Sequence, residues 1–346
     1  MSRVAVVFTG GTISMVVDPV AGGNVPSLDG PAILARTPGL DAIAEVVAID
    51  LGRTPASHFD FSRLLEIGAR IRAAQAESAI DGVVVVQGTD TLEETAFLWD
   101  LVLDRSEPVV VTGAMRAASS ADYDGPRNLR DAVRCAASPS LRGSGVTVVL
   151  AGTVLAADAV TKAHASALDA FQALDTGPLG VVDDAGVRLH RPRGPRRHVA
   201  TSGAAEVLLV RAHVAMDGRL LDAAATLRPA GIVVEGTGAG NTDARLLEAA
   251  SRAMAGGIAV VLASRCPSGS ASPDYAFPGG GATWQRAGAI LAGHLTGPKA
   301  RVALAAGLGA GLDRAGLEAL LADPPGWGPV LEMAPRAAAA DAARSG

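Results

Sequence analysis

Apolar runs alternate with polar turns and with segments of helical periodicity along the chain. Gly82–Val86 is entirely apolar, the polar stretch 87–91 follows it, and a helical pattern covers 92–103. An apolar run of this length between turn residues is typical of a strand buried on both faces, as in a parallel sheet covered by helices. Ligands bind beyond the carboxyl ends of such strands. The pattern therefore predicts that Thr89 and Asp90 lie where a ligand binds.

The start of the chain has the same organisation. Arg3–Phe8 predicts a strand that runs directly into Thr9-Gly10-Gly11-Thr12-Ile13-Ser14. The pattern predicts further strands at 45–51, 108–112 and 146–150, and helices at 31–37, 62–76 and 127–137. This alternation predicts a doubly wound α/β domain with right-handed crossovers. The segment 15–30 is expected to be a long loop, either a lid or a surface connection.

The length of the chain predicts two domains, because 346 residues are many for a single core. We expect an α/β domain carrying the active site over 1–188, a basic Pro- and Gly-rich linker over 189–204, and a smaller α/β domain over 205–332. The smaller domain has predicted strands at 207–210, 231–234 and 258–263, and predicted helices at 283–291, 298–306 and 314–321. An Ala-rich tail at 333–346, which we expect to fray, completes the chain. The fold class is thus α/β, with a doubly wound parallel sheet in the N-terminal domain.

Composition narrows the possible partners. The net charge of −5 is mild, which argues against a nucleic-acid or anionic-membrane partner. No apolar run approaches the ~20 residues of a membrane span. The early first strand leaves no room for a signal peptide, and the two distant cysteines, Cys135 and Cys266, suit a reducing compartment. We therefore expect a cytoplasmic protein in which both cysteines are inert core residues.

The basic residues are strongly skewed towards arginine. Of the 30 Lys and Arg residues, only Lys162 and Lys299 are lysines. A general preference for arginine explains the skew. A lysine kept against it suggests a role that a guanidinium cannot fill, because arginine does not release its proton.

Several polar residues fall together at the predicted carboxyl ends of strands. They are Thr12, Ser57, Thr89, Asp90 and the backbone of Ala114, and Lys162 follows the next strand. A hydroxyl nucleophile needs a proton acceptor, and a lysine beside Thr89 can serve. The N–H groups of Gly10 and Gly11 can face a developing oxyanion. This combination indicates acyl transfer at a carbonyl, most simply amide hydrolysis.

Each of these features also has a structural explanation. A threonine at a strand end often caps the next helix. A Gly-Gly turn can cradle a phosphate, but the G-x-G-x-x-G spacing is missing. His58 and His164 have no i, i+4 partner, which favours structural histidines over metal ligands, and Asn241 in a Gly-rich turn is often only a turn former.

Two of these stretches resemble the signature motifs of bacterial-type L-asparaginases and glutaminase-asparaginases. They are Phe8-Thr9-Gly10-Gly11-Thr12-Ile13-Ser14 and the stretch 82–95, which contains Gln87-Gly88-Thr89-Asp90-Thr91. The likeness continues through 112–116, 124–129, Lys162, 238–241 and 264–265, and so covers nearly the whole chain.

The resemblance implies specific roles. Thr12 would attack the side-chain amide of L-asparagine and form a β-acyl ester, and Thr89, Lys162 and Asp90 would form a second triad. Ser57 and Asp90 would hold the α-carboxylate and α-ammonium of the substrate. The full set of implied binding positions is Gly11, Ser57, His58, Gly88, Thr89, Asp90, Ala114, Met115 and Asn241, the last from or near the partner subunit. The resemblance further implies no cofactor and a homotetramer of tight dimers, in which a neighbour's C-terminal domain completes each site. The sequence by itself predicts only a homo-oligomer, either a dimer or a tetramer.

The chain also departs from the family pattern. Gln87 stands where His is more common, and His58 stands where Gln or Asn is common. No tyrosine occurs in 15–30, where the family usually has one near the first threonine; Asn24 lies roughly there. The acidic residue that a neighbour usually supplies has no clear match in 268–277, where Asp274 and Tyr275 are the polar candidates. Losing a positioned proton-transfer group typically costs ~10²–10⁴ in rate.

Three hypotheses therefore stay open at this point. The first is an asparaginase in which Lys162 or the partner's Tyr275 takes over activation. The second is an amidase for glutamine, a D-amino acid amide or amidated tRNA, the last weakened by the negative charge. The third is a binding or sensor protein without turnover.

Overall fold

The computed structural model describes residues 1–77, 79–104 and 106–324, and the predicted tail at 333–346 lies outside them. In chain order the strands are β1 (Arg3–Phe8), β2 (Met15–Asp18), β3 (Gly23–Pro26), β4 (Glu45–Asp50), β5 (Gly82–Val86), β6 (Val109–Thr112), β7 (Val146–Leu150), β8 (Thr153–Ala156), β9 (Thr161–Lys162), β10 (Phe171–Gln172), β11 (Gly180–Asp183), β12 (Gly186–Leu189), β13 (Val207–Arg211), β14 (Gly231–Gly236), β15 (Ala259–Ser264) and β16 (Ile290–Leu291). The α-helices are α1 (Gly30–Ala35), α2 (Phe61–Ala76), α3 (Leu92–Val102), α4 (Gly125–Ala136), α5 (Arg219–Thr226), α6 (Ala244–Ala255), α7 (Gly281–Ala287), α8 (Gly297–Gly309) and α9 (Arg314–Leu321).

An eight-stranded sheet in the order β12-β11-β8-β7-β6-β5-β1-β4 organises the N-terminal half. Strands β4, β1, β5, β6 and β7 are parallel, so their carboxyl ends share one edge. The prediction of a parallel sheet is wrong for the other edge, where β8, β11 and β12 run antiparallel to their neighbours. Ala151 and Gly152, with φ of 50° and 74°, join β7 to β8 in a two-residue turn, the tight connection that antiparallel strands permit.

Strand β5 is buried on both faces. Val83 and Val85 pack in the core cluster that contains residues of α2 and α3, whereas Val84 and Val86 pack in the cluster that contains residues of α4. Alternation across the sheet therefore explains why every residue of this strand is apolar. The doubly wound α/β prediction is confirmed.

Aspartates fix the starts of two helices on this sheet. The carboxylate of Asp29 accepts a hydrogen bond from the N–H of Ala32 at α1, and that of Asp60 accepts one from Arg63 at α2. Each satisfies a backbone donor that the first helical turn leaves free.

The segment expected to be a loop at 15–30 instead begins with an antiparallel hairpin of β2 and β3. The carbonyl of Met15 accepts a hydrogen bond from the N–H of Ala118, and the Val17 N–H donates to the Ser119 hydroxyl. The carboxylate of Asp18 accepts from two N–H groups in the turn, those of Val20 and Ala21. The hairpin is therefore tied at its base and free at its tip, where Val20 is 98% exposed.

A four-stranded parallel sheet in the order β13-β14-β15-β16 forms the smaller C-terminal domain. The predicted helix at 283–291 is wrong in its second half. Helix α7 ends at Ala287, Gly288 takes a left-handed φ of 110°, and Ile290–Leu291 forms β16. Helix α8 packs against β13, β14 and β15 on one side and against α3 of the large domain on the other.

The basic segment between the two sheets turns its arginines inward. Arg193 lies 2.6 Å from Asp100 and 3.0 Å from Asp158 with its side chain 5% exposed. Arg197 lies 2.9 Å from Asp323 near the end of α9. The segment is thus held by buried ion pairs to both domains.

The remaining expectations concern the cysteines and the membrane. Cys135 is buried as expected, but Cys266 is exposed, so its assignment to the core is wrong. Across the described residues no helix has the length and apolarity needed to cross a membrane.

Candidate active site

The turns after β1, β4, β5 and β6 meet at the carboxyl edge of the parallel strands. A methyl group added at Gly11 would overlap the backbone of Gly88, so the turn after β1 touches the turn after β5. Gly88 in turn lies against Ala56, and Gly113, after β6, lies against Thr89. Glycines at these positions let four loops pack closer than side chains would allow.

Thr12 opens a short 3₁₀ turn directly after Gly11 and is half-buried. Gly11 has a φ of 95°, a left-handed conformation that an L side chain rarely adopts. The turn is closed by the Ser14 hydroxyl, which donates to the Gly11 carbonyl at 2.7 Å. Thr12 is thereby set beside the loop that carries Thr89.

Lys162 reaches both polar residues of the β5 loop. Its Nζ donates to Thr89 Oγ1 at 2.9 Å and to Asp90 Oδ1 at 2.8 Å. Thr89 is 4% exposed, the side chain of Lys162 is 15% exposed, and that of Asp90 is 75% exposed. A buried hydroxyl is therefore linked through an ammonium group to a carboxylate that faces solvent.

A short strand presents Lys162 to this loop. Thr161 and Lys162 form β9, which pairs with Phe171–Gln172 of β10. The backbone N–H of Lys162 donates to Glu93 Oε2 at 2.6 Å, in the first turn of α3. The sequence placed Lys162 after the next strand in order, but it lies beyond the antiparallel strand β8.

The predicted substrate-binding residues lie around this centre with different exposure. Ser57 and His58 are exposed in the 3₁₀ turn Ala56–His58, and the Thr91 hydroxyl donates to the Ala56 carbonyl at 3.1 Å. Ala114 is fully buried next to half-buried Met115.

The loop after β6 is shaped by one carboxylate. Asp124 accepts hydrogen bonds from the N–H groups of Met115 at 3.0 Å and Arg116 at 2.9 Å. The Asn128 side chain donates to the same carboxylate and to the Gly113 carbonyl. The stretch 113–116 is therefore fixed from below by the start of α4.

Among the described residues, the hydrogen bonds of Asn241 lie within the smaller domain. Asn241 ends the turn after β14, at the carboxyl end of the small sheet, where its N–H donates to the Thr237 carbonyl at 2.8 Å. Within the described ranges, its buried Oδ1 accepts no hydrogen bond. An unsatisfied buried amide oxygen needs a partner from elsewhere.

Gln87 and His164 have structural partners. The side-chain amide of buried Gln87 donates to the Thr95 hydroxyl on α3 at 2.6 Å. The Nδ1 atom of His164 accepts from the N–H groups of Ser166 and Ala167 at 3.0 Å. Both contacts stabilise local backbone, which agrees with the interpretation of His164 as a structural histidine.

Sequence analysis missed Tyr123 as a contact of the Thr12 turn. Its hydroxyl donates to the Ile13 carbonyl at 2.8 Å. Burial raises its pKa to about 12. The only signal in the sequence was the presence of a tyrosine in the polar loop before α4, since the contact joins residues 110 positions apart.

Hydroxyls, a lysine and a carboxylate at the edge of a parallel sheet define the class of protein. Such a set suits hydrolysis through a hydroxyl nucleophile, with a neighbouring group that moves protons.

Family models narrow this class. The model "Asparaginase, N-terminal" matches residues 3–194, and the model "Glutaminase/Asparaginase C-terminal domain" matches 206–321. The chain therefore belongs to the asparaginase family, as its motifs suggested.

Individual relatives agree with the family. A probable L-asparaginase of Deinococcus radiodurans is 37% identical over 325 residues, 91% of this chain and 95% of that protein. An L-asparaginase of Bacillus licheniformis is 32% identical over 304 residues, 88% and 94% of the two chains. The crystal structure of a probable cytoplasmic L-asparaginase from Campylobacter jejuni superposes with a TM-score of 0.83 at 27% identity, over 93% of this chain and 99% of that one.

Proposed function

We propose that the protein hydrolyses the side-chain amide of L-asparagine to L-aspartate and ammonia. The observation that carries the proposal is the contact of Lys162 Nζ with Thr89 and Asp90, on a loop that touches the turn of Thr12. The names of the relatives, which are L-asparaginases, support the choice of substrate.

In the proposed first step, the Thr12 hydroxyl attacks the amide carbon. The hydroxyl proton passes to the leaving nitrogen, the C–N bond breaks, and a β-acyl ester and ammonia result. The N–H of Gly11 faces the developing oxyanion. The left-handed backbone of Gly11 gives this N–H a direction that other residues rarely adopt.

In the proposed second step, water cleaves the ester and restores Thr12. Thr89, Lys162 and Asp90 act together here: the lysine moves the proton and the carboxylate orients the ammonium. Asp90 is 75% exposed, so it is also open to the α-ammonium of a substrate, and exposed Ser57 is open to the α-carboxylate. Substrate binding and proton transfer thus share one carboxylate.

The proposal includes a homo-oligomer whose site is completed by Asn241 of the partner subunit. Support comes from the position of Asn241 on the small sheet and from its unsatisfied Oδ1. The cytoplasmic location stays a prediction, because a 30% identical relative from Haemophilus influenzae is named a probable periplasmic L-asparaginase.

The experiment that tests the function is ammonia release from L-asparagine, with L-glutamine and D-asparagine as comparisons. We expect Thr12→Ala and Thr89→Val each to lower the rate by ~10²–10⁴. The matched control for Thr89→Val is Thr147→Val, because Thr147 is also buried but lies within β7, in the sheet interior. Lys162→Arg should fail as severely as Lys162→Met, since arginine does not release a proton.

The outcomes separate the open hypotheses. Release from glutamine or D-asparagine alone would make the protein an amidase with a different substrate. Tight asparagine binding without release would make it a binding protein. A Thr12→Ala variant with most of its activity would refute the proposed nucleophile.

A further inference from the structure

The second of the two lysines, Lys299, lies in the small domain but contacts the large one. It is the third residue of α8, and it is 1% exposed. The mechanism proposed above does not use it. A buried lysine that the chain keeps against its preference for arginine calls for an explanation.

The Lys299 ammonium binds the segment that leads into Lys162. Its Nζ donates to the Asp158 carbonyl at 3.0 Å and to the Val160 carbonyl. Thr161 is then the single residue that separates the second carbonyl from Lys162. The Lys299 ammonium of the small domain therefore fixes the residues just before β9 in the large domain.

The same segment is held from a second direction. The Asp158 carboxylate lies 3.0 Å from Arg193, whose side chain is 5% exposed. Downstream, the Lys162 N–H is bound by Glu93 of α3. These contacts leave the three residues before Lys162 little freedom to shift along the sheet edge.

Stability alone does not explain a lysine at this position. Removing an ammonium group from water costs several kcal/mol. A cation in the first turn of a helix is also disfavoured by the helix dipole. Burial lowers the pKa of Lys299 to about 8, which still leaves the group mostly protonated and able to donate at neutral pH.

The geometry also distinguishes lysine from arginine. Two carbonyls that flank one residue converge on a single donor atom, and an ammonium is a compact donor with three rotatable N–H bonds. A guanidinium would add bulk at a site that is 1% exposed. It would also add a third arginine beside Arg193 and Arg197.

We propose that Lys299 is a positioning residue for the reaction, which sets Lys162 against Thr89 by fixing the carbonyls of Asp158 and Val160 from the small domain. The inference rests on the proposed role of Lys162. A misplacement of about 1 Å can cost ~10²-fold in rate, so a small shift of β9 is enough to matter.

The test is a double-mutant cycle with Lys299→Met and Lys162→Met, using ammonia release from L-asparagine. Methionine keeps the buried stem and removes the donors. We expect Lys299→Met to lower kcat by ~10–100-fold with KM within about threefold, since it touches no proposed substrate contact. In the Lys162→Met background it should have no further effect, because both changes act through one side chain.

The matched control is Arg197→Met. Arg197 is also a buried cation at the domain junction, but it donates to the Ala322 carbonyl and the Asp323 carboxylate, at the end of α9. We expect Arg197→Met to lower the melting temperature at least as much as Lys299→Met does, while leaving kcat nearly unchanged. If Lys299→Met does not fold, Lys299→Gln replaces it in the double-mutant cycle, because the glutamine side chain keeps one NH2 group that donates hydrogen bonds.

Three outcomes would overturn the inference. Multiplicative losses in the double mutant would mean that Lys299 acts independently of Lys162. Equal losses of kcat in Lys299→Met and Arg197→Met would mean that the lysine only supports the junction. A Lys162→Met variant with most of its activity would refute the proposed triad itself and this inference with it.

Discussion

Tyr123 offers a second way to understand the missing loop tyrosine. The sequence suggested that Lys162 or the partner's Tyr275 takes over activation. In the structure Tyr123 holds the Ile13 carbonyl, next to Thr12. Its role at this distance is to fix the turn that carries the nucleophile, which differs from accepting a proton.

Substituting the two tyrosines separately distinguishes these roles. We expect Tyr123→Phe to lose about 1 kcal/mol of stability and several-fold in kcat, because the turn of Thr12 loses one hydrogen bond. Tyr275 is 46% exposed and pairs with Phe277, so Tyr275→Phe should change neither the stability nor kcat. Urea unfolding and ammonia release measure both. A loss of ~10²–10⁴ in Tyr275→Phe would identify it instead as the activating group.

Lys299 also predicts how stability depends on pH. Its pKa falls from 10.5 to about 8 on burial, so between these values the unfolded chain binds more protons than the folded one. The free energy of unfolding therefore rises with pH between these two values, by ~3 kcal/mol in total. The groups that face the ammonium are Glu93, Asp158, Arg193 and Arg197.

The check is the urea midpoint measured from pH 7 to pH 10. Lys299→Met should remove the rise, whereas the Lys162→Met profile should keep it. A wild-type midpoint that falls steadily across this range would contradict the assignment. Above about pH 10 the opposite effect sets in, because folding raises the pKa of Tyr123 to about 12 and stability is lost as the unfolded phenol ionises.

Their position at the ends of predicted strands identified the central residues of the site, but not the residues that hold them in place. Thr12, Thr89 and Asp90 each follow an apolar run, so a local pattern identifies them. The contacts of Tyr123 with Ile13 and of Lys299 with Asp158 join residues 110 and 141 positions apart. Local periodicity carries no information about such contacts.

At the scale of elements, the errors fall on short strands, most of which are antiparallel. The two strands of the hairpin at 15–26, together with β11 and β12 at one side of the large sheet, have four residues each, and β16 has two. Strands this short show too few alternations to stand out from loops. Long apolar strands and helices that face both sides of the sheet were predicted to within a few residues.

The arginines of the segment between the domains pair with a buried aspartate, whose substitution should cost more stability than that of an exposed aspartate. Asp100, at the end of α3, is 1% exposed and is bound by Arg193, Arg196 and the N–H of Val146. Asp183 pairs with Arg188 on the surface. We expect Asp100→Asn to cost about 3–5 kcal/mol, because buried Arg193 then keeps only Asp158 as a carboxylate partner and Arg196 loses the carboxylate with which it pairs.

Asp183→Asn serves as the control and should leave the urea midpoint nearly unchanged, since exposed ion pairs contribute little. Similar losses in the two variants would mean that solvent reaches the arginines of the inter-domain segment. Limited proteolysis between residues 189 and 204 gives a second measure, with faster cleavage expected only in Asp100→Asn.

At the scale of the whole molecule, the proposed completion of each site by Asn241 of the partner subunit predicts complementation between subunits. Thr12→Ala and Asn241→Ala should each be inactive alone. When the two are co-expressed with different tags, a mixed dimer regains one complete site, so about half of the sites recover in dimers purified through both tags. Purification through both tags and ammonia release measure the recovery. No recovery would mean that each site is complete within one subunit.

The contact of Gly11 with Gly88 limits how the site can be changed by mutation to accept larger amides. The spacing between the two threonine loops is set by backbone against backbone, with no side chain left between them to trim or enlarge. Repacking therefore cannot widen this part of the pocket, and any added atom there pushes both loops apart at once. Selection for bulkier amides should instead recover changes at Ser57 and His58, whose side chains are exposed and have room to change.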